Sequence, residues 1–315
     1  MVTSKRCIKR SDSNTAKRIF ILFALLFASF GYGIGVGYYG WFPSSGIKLF
    51  VRSAKSFVGP YESPSSLISC SLPKIKVVPN NSIAIIGHAY GSPKAVSDSV
   101  NAFLSDTVNV FLKDNSVELD MVIFSGDVFA WPSIAKWDRL SAEFDKQFEI
   151  RVAPGNHDVG TLAAADIFRM TEYYSPGPFI ILDTQKYVII SENSIKSNGL
   201  LSEKTKAVLN EFSEKKIFLV RHNVPIKELV KYSNSPSDVH SLALPKLDAF
   251  TAALKHNAMI TVISGDGGAY PHLPRELCLE INNLRFVLNG IGELPRDTIA
   301  ILVDGVLYSY ELTGS

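Results

Sequence analysis

The sequence Gly155-Asn156-His157-Asp158 follows the short apolar run 150–153, and Ser125-Gly126-Asp127 follows the run 121–124 in the same way. Each stretch is typical of a buried strand that delivers polar side chains to its carboxyl end, where open α/β sheets place their sites. An amphipathic helix is predicted between them, over residues 134–148. Carboxylate, amide and imidazole groups gathered at such an edge indicate metal-dependent hydrolytic chemistry.

Further strands and helices are predicted on both sides of this stretch, and they alternate as in a layered α/β domain. The carboxyl-terminal strands are antiparallel around the turn Asp304-Gly305. The predicted strands cover 83–86, 121–124, 150–153, 179–183, 187–191, 217–220, 259–263, 284–288, 298–303 and 306–312. The predicted helices cover 96–113, 134–148, 202–212 and 244–255.

The amino terminus has the features of a membrane anchor. Residues 1–18 carry a net charge of +5, and the apolar residues 19–42 carry no charge. This second stretch exceeds the roughly 20 residues that cross a bilayer as a helix. The basic residues predict a cytoplasmic amino terminus and an extracytoplasmic body. A cleaved signal peptide is the alternative, although no A-x-A site ends the run. Glycines 31, 33, 35 and 37 form G-x-x-x-G patterns that would support a weak dimer.

The rest of the chain divides into a stalk and a domain. Residues 43–80 are rich in Ser, Pro and Gly and predict a stalk, and residues 81–315 form the domain. Beyond residue 18 the chain has a net charge of −3 and no basic patch with interleaved aromatics, so no nucleic-acid binding is predicted. Cys70 and Cys278 are predicted to be unpaired thiols, although an oxidising compartment would permit a disulfide between them.

Seven polar residues lie at or just after the ends of predicted strands: His88, Tyr90, Asp127, Asn156, His157, His222 and Asp266. Their order and spacing resemble the calcineurin-like metallophosphoesterase superfamily, whose pattern is D-x-H, G-D, G-N-H-D/E, a lone His and G-H-x-H. The stretch Leu219–Pro225 resembles the lone-His segment, and the resemblance covers about residues 82–312. It implies a fold of two central mixed sheets flanked by helices, and a phosphoester hydrolase that binds divalent metal ions.

The resemblance also implies a role for each matching residue. Asp127 would bridge two cations, and His222 would bind the second of them. Asn156 would bind that cation and the substrate phosphate. His157 would be the general acid that protonates the leaving oxygen, with Asp158 orienting its ring.

Two motifs depart from the family pattern. His88-Ala89-Tyr90 stands in place of D-x-H, and Gly265-Asp266-Gly267-Gly268 stands in place of G-H-x-H. Asp127, Asn156, His222 and Asp266 therefore predict a strong second cation site, whereas Asp127, His88 and Tyr90 predict a weaker first one. Oxygen and imidazole donors suit Mn, Fe or Zn. His272 is a further candidate donor, and position alone suggests Arg221, Trp131 and Tyr270 as substrate contacts.

Two functions follow from this combination. The first is a membrane-anchored phosphoester hydrolase that acts outside the cytoplasm on a phosphorylated substrate. The second is a pseudoenzyme of the same fold that serves as a binding module at the cell surface, since both flanking motifs are altered. Two of the candidate ligands also have a purely structural alternative: His88 as a hydrogen-bonded core histidine and Asp266 as an ordinary turn residue.

Overall fold

Thirteen strands lie in the part of the chain that this computed structural model describes, residues 68–91, 103–197, 199–225, 258–269, 277–292 and 297–312. In chain order they are β1 (Ile68–Cys70), β2 (Lys74–Ile75), β3 (Ser82–Ile86), β4 (Leu119–Phe124), β5 (Glu149–Val152), β6 (Phe179–Asp183), β7 (Tyr187–Ser191), β8 (Lys216–Arg221), β9 (Ile260–Ser264), β10 (Leu277–Ile281), β11 (Leu284–Leu288), β12 (Thr298–Val303) and β13 (Val306–Glu311).

Helices are few and short in the same residues. They are α1 (Asp106–Asp114), α2 (Ile134–Phe144), α3 (Asn156–Val159), α4 (Leu162–Arg169) and α5 (Glu203–Glu211), with a 3-10 turn over Asp266–Ala269. Side-chain caps begin several of them: the hydroxyls of Ser105, Ser133, Thr161 and Ser202 accept hydrogen bonds from backbone N–H groups of the first turns of α1, α2, α4 and α5.

The strands form two mixed sheets. One has seven strands in the order β1-β10-β11-β9-β8-β7-β6, and the other has six in the order β2-β13-β12-β3-β4-β5. Parallel pairs join β3 to β4, β4 to β5, β7 to β8 and β8 to β9. The carboxyl ends of these parallel strands therefore lie at common sheet edges, where a site can be assembled from several strands.

Alternation along each strand decides which layer its side chains enter. In β3, Ile83 and Ile85 belong to the buried cluster between the two sheets, whereas Ala84 and Ile86 pack in a cluster with apolar residues of α1 and α2. Leu209 of α5 packs on the other face of the seven-stranded sheet. The described residues thus form two mixed sheets with helices on their outer faces, which agrees with the predicted layered α/β domain and with the fold that the resemblance implies.

The domain begins earlier than the predicted boundary at residue 81. Strand β1 pairs with β10, strand β2 pairs with β13, and Leu72 and Val78 are buried. The predicted stalk is therefore wrong for these residues. The predicted helix 96–113 is also shorter within the described residues, because it begins at Asp106 with Ser105 as its cap.

Cys70 and Cys278 form a disulfide, so the prediction of unpaired thiols is wrong. The two residues face each other in the antiparallel register of β1 and β10. Neither of these strands was predicted from the sequence. Without that pairing, a separation of 208 residues gives no reason to join the two cysteines.

Several predictions fall on residues outside the described ranges. One is the anchor 19–42, which lies within residues 1–67. The others are the helix 244–255 and the roles of Tyr270 and His272. Among the residues that are described, no helix has the length and apolar character needed to cross a membrane.

Candidate metal centre

Five strand ends bring the predicted residues into one cleft. In the six-stranded sheet, His88 follows β3, Asp127 follows β4, and Asn156 begins α3 after β5. In the other sheet, His222 directly follows β8 and Asp266 follows β9. Asp266 lies at the start of the 3-10 turn. The two sheets therefore both contribute to the cleft.

Glycines allow the two sets of strand ends to approach each other. Gly126 has φ +91°, a conformation that favours glycine, and a Cβ there would lie 2.5 Å from Nδ1 of His222. A Cβ at Gly265 would overlap with the main-chain oxygen of Ser125. Side chains at either position would push β4 away from β8 and β9.

Two of the polar residues have unusual backbone conformations. His88 and Asp127 have left-handed backbone conformations, with φ 55° and 56°. A non-glycine residue in this conformation is strained by about 1–3 kcal/mol. Asp158 stabilises the backbone of Asp127, because its Oδ2 accepts hydrogen bonds from the N–H of Asp127 and of Gly155, both at 2.8 Å. Strained residues at a cleft are typical of functional sites.

Three histidines present the same ring nitrogen to the cleft. In each, Nδ1 lies against a main-chain carbonyl, which can only accept a hydrogen bond, so Nδ1 carries a proton and donates it, while Nε2 is directed into the cleft. The distances from Nδ1 are 2.9 Å to Gly91 O and 3.2 Å to Ile291 O for His88, 2.8 Å to Ala130 O for His157, and 3.2 Å to Ser125 O for His222. Metal-binding histidines are usually oriented in this way.

The Nε2 atoms surround the carboxylate of Asp127. His88 Nε2 lies 3.8 Å from Oδ2, His157 Nε2 lies 4.0 Å from Oδ2, and His222 Nε2 lies 3.5 Å from Oδ1. Ligands that each lie about 2.1 Å from a cation are separated by about 3–4 Å. The distances from Asp127 to the two buried histidines, His88 and His222, therefore fit ligands of a cation.

Asp266 adjoins both of the buried histidines. Its Oδ1 lies 3.6 Å from His222 Nε2, and ligand atoms of His88, Asp127 and Asp266 all lie within 4.8 Å of one another. This group could hold a metal ion. The sequence assigned Asp266 to the second position only, because it does not show that β3 and β9 end side by side. Asn156 Oδ1 lies 3.0 Å from His222 Nε2 and extends the donor set.

Opposing influences set the protonation states of the centre. Burial raises the pKa of Asp127, but His222, His157 and His88 together outweigh it and hold the pKa below its usual value. Burial lowers the pKa of His88 to about 4. It also lowers the pKa of His222, but the carboxylates of Asp127, Asp266 and Asp158 raise it by more. At pH 7, Asp127 is therefore ionised and His88 neutral, the states in which both bind cations.

Three assigned roles need correction, those of Asp158, Arg221 and Tyr90. Asp158 does not orient His157, since Ala130 O accepts the hydrogen bond from His157 Nδ1. The Asp158 carboxylate instead binds backbone N–H groups. Burial, followed by the charge of Asp127, raises the pKa of Asp158 to about 6, so the carboxylate is still ionised at pH 7. A backbone carbonyl has no signature in residue type, so the role of Ala130 was not predictable.

Arg221 is not placed to contact a substrate. Its side chain is fully buried in an ion pair with Glu192, with 2.8 Å between Nη1 and Oε1, and Nη2 donates to Gly199 O at 2.5 Å. Alternation along β8 explains this position, because Leu219 packs on the outer face with α5 whereas Val220 packs between the sheets. Arg221 shares the face of Leu219.

Tyr90 is buried, and its hydroxyl lies 2.8 Å from Nε2 of His88 and 3.5 Å from Nε2 of His157. Burial, and after it the charges of Asp127 and Asp266, raise the pKa of Tyr90 well above its usual value. A phenol binds a cation well only when it is ionised, so these surroundings do not favour the predicted role of Tyr90 as a ligand of the first cation. Instead, the phenol donates a hydrogen bond to His88.

His157 differs from the other two histidines of the centre in its access to solvent. Its side chain is 33% exposed, whereas those of His88 and His222 are 1% and 0% exposed. Trp131, which follows Ala130, is half exposed. No protein-family model matches the chain, and no curated protein matches it significantly.

Proposed function

We propose that the protein is a metal-dependent phosphoester hydrolase of the metallophosphoesterase type. The observation that carries this proposal is the convergence of three Nε2 atoms on Asp127, with His157 alone among the three reaching solvent. Buried histidines at such a carboxylate suit a resident cation, whereas an exposed one suits proton exchange with a substrate.

The donor set suits one or two ions of Mn, Fe or Zn. His88 and His222 supply nitrogen, Asp127, Asp266 and Asn156 supply oxygen, and no thiolate is among these donors. Such an ion supplies Lewis-acid chemistry, because it neutralises phosphoryl oxygens and acidifies water. The negative charges of Asp127 and Asp266 balance one divalent ion. A second divalent ion would leave a net charge of +2, which would attract phosphate.

The chain itself would bind the phosphate and deliver a proton. Asn156 is exposed, and with Oδ1 turned to His222 its amide NH2 group is left for a phosphate oxygen. His157, anchored through Nδ1 to Ala130 O, directs Nε2 into the cleft. A proton on Nε2 would pass to the leaving oxygen as the ester bond breaks.

We assign the activity to the outer side of a membrane. The Cys70–Cys278 disulfide supports this compartment, since such bonds persist in oxidising environments. The basic residues 1–18 and the apolar run 19–42 support an anchor with the domain outside. A catalytically impaired binding module is the second candidate. The hydrogen bond from Tyr90 to His88 favours this candidate, because it occupies the ring nitrogen with which His88 would bind a cation.

The test is hydrolysis of aryl phosphate esters by the full-length protein with added Mn²⁺. We expect turnover in the wild type and its loss in Asp127→Asn. His157→Ala should retain its metal and lose about 10²–10⁴-fold on phenyl phosphate. It should lose much less on 2,4-dinitrophenyl phosphate, whose leaving group needs no proton. Absence of metal-dependent turnover in the wild type would exclude the hydrolase and leave the binding module.

A further inference from the structure

The two buried histidines of the metal centre differ in what faces their lone pairs. Nε2 of His222 faces three oxygens, at 3.0 Å (Asn156), 3.5 Å (Asp127) and 3.6 Å (Asp266). Nε2 of His88 also has an oxygen of Asp127 at 3.8 Å, but the hydroxyl of Tyr90 lies closer, at 2.8 Å. A cation fits among oxygen acceptors, whereas a hydroxyl donor competes with it.

The hydrogen-bond partners of His88 determine the direction of its bond with Tyr90. Nδ1 lies against two carbonyl oxygens, of Gly91 and Ile291, and must therefore donate. Nε2 is then the acceptor, and the proton in the 2.8 Å contact comes from Tyr90. The lone pair that a cation would need is already in use.

From these contacts we infer that Tyr90 restricts cation binding at the His88 position, so that the centre has one strong site at His222 and one guarded site at His88. A cation reaches His88 only when the Tyr90 hydroxyl gives up its hydrogen bond. A typical net hydrogen bond corresponds to about a fivefold change in affinity. This inference rests on the metal centre of the proposed function but not on its hydrolytic activity.

A tyrosine in this place also lies beside the proposed proton donor. The Tyr90 hydroxyl is 3.5 Å from His157 Nε2, and the two rings have centroids 5.2 Å apart. Displacement of Tyr90 from His88 would therefore change the surroundings of His157. The number of bound cations and the position of the exposed histidine are coupled through one side chain.

Equilibrium dialysis of the full-length protein against Mn²⁺, followed by elemental analysis, tests the inference. The wild type should bind one ion tightly, lost in His222→Ala, and a second ion more weakly. Tyr90→Phe should tighten binding of the second ion about fivefold and leave that of the first unchanged. Tyr173→Phe is the matched control, because that buried hydroxyl bonds to Asp145 and not to the centre. It should bind both ions as the wild type does.

The double variant Tyr90→Phe/His88→Ala locates the effect, since it should lose the gain in the second ion. The inference is overturned if Tyr90→Phe leaves the second ion unchanged or weakens it, or if the gain survives without His88. A wild type that binds no Mn²⁺ would remove the metal centre and this inference together. Tight metal binding without ester hydrolysis would remove only the proposed activity.

Discussion

Asp158 accepts a hydrogen bond from the main-chain N–H of Asp127 at 2.8 Å, so the last residue of one sequence motif holds the backbone of another. The same oxygen binds the N–H of Gly155, and Oδ1 binds the N–H of Val128 at 3.2 Å. Asp127 has a left-handed backbone that costs energy. Asp158 therefore stabilises the conformation that directs the Asp127 carboxylate into the cleft.

Replacing Asp158 with alanine should destabilise the fold by about 3 kcal/mol or more, because it leaves buried N–H groups without an acceptor. Urea unfolding would measure the loss. Asp158→Asn retains one acceptor oxygen and should fall between alanine and the wild type. Asp138 provides a control on the exposed face of α2, where alanine should change stability by less than about 0.5 kcal/mol. Equal effects at the two positions would show that Asp158 has no such role.

Gly155 tests whether the spacing of the centre depends on the absence of a side chain. A Cβ at this residue would overlap with Oδ1 of Asp127, although its φ of −98° is open to alanine. Gly155→Ala should therefore displace the carboxylate, weaken Mn²⁺ binding more than tenfold, and cost about 1–3 kcal/mol.

Gly177 supplies the matched control, since a Cβ there would meet nothing within 4 Å. Gly177→Ala should bind Mn²⁺ normally and gain about 0.4–1 kcal/mol from the stiffer unfolded chain. Unchanged Mn²⁺ affinity in Gly155→Ala would contradict the close contact between Gly155 and the carboxylate.

The sequence predicts the central strands well because each is a short apolar run ended by glycine or a polar residue. Predicted and observed bounds agree for β6, β7, β11 and β12. It misses β1, a three-residue strand of Ile68, Ser69 and Cys70 with an exposed start. Such a strand forms because it pairs with β10 and not because of its own residues, so no local sequence pattern predicts it.

The site was predictable as a group but not as a set of roles. Residues at the ends of parallel strands meet because of the fold, which explains why His88, Asp127, His222 and Asp266 lie together. The role of each residue also depends on the direction of its side chain, which the position of a strand end does not give. Alternation in β8 is readable in the sequence, and it would have placed Arg221 on the outer face with Leu219. The partners of Asp158 and His157 are main-chain atoms, which the sequence does not mark.

The Arg221–Glu192 ion pair gives a test of that correction. Arg221→Ala should destabilise the protein by about 3–5 kcal/mol, because it leaves the buried Glu192 unpaired. Arg221→Met combined with Glu192→Met should recover most of this loss, since apolar side chains can replace a buried pair. Thermal unfolding measures both. Lys206→Ala breaks the exposed pair with Glu203 and should cost less than about 1 kcal/mol.

The same double variant separates structure from substrate binding. If Arg221 acts only in the core, Arg221→Met/Glu192→Met should retain the KM of the wild type for aryl phosphates. If the double variant regains stability but its KM is raised tenfold, Arg221 contributes to substrate binding and the correction is wrong.

The disulfide yields a prediction that also bears on the compartment. The chain has three cysteines, and Cys70 is bonded to Cys278. Thiol labelling of the unfolded, unreduced protein should therefore modify Cys7 alone. Cys70→Ser should lower the free energy of unfolding by about 2–4 kcal/mol, because the bond joins residues 208 apart and restricts the unfolded chain. Cys7→Ser should leave stability unchanged. Three reactive thiols in the protein isolated from its native source would contradict both the bond and the proposed oxidising compartment, because a domain exposed to cytoplasmic reductants retains free cysteines.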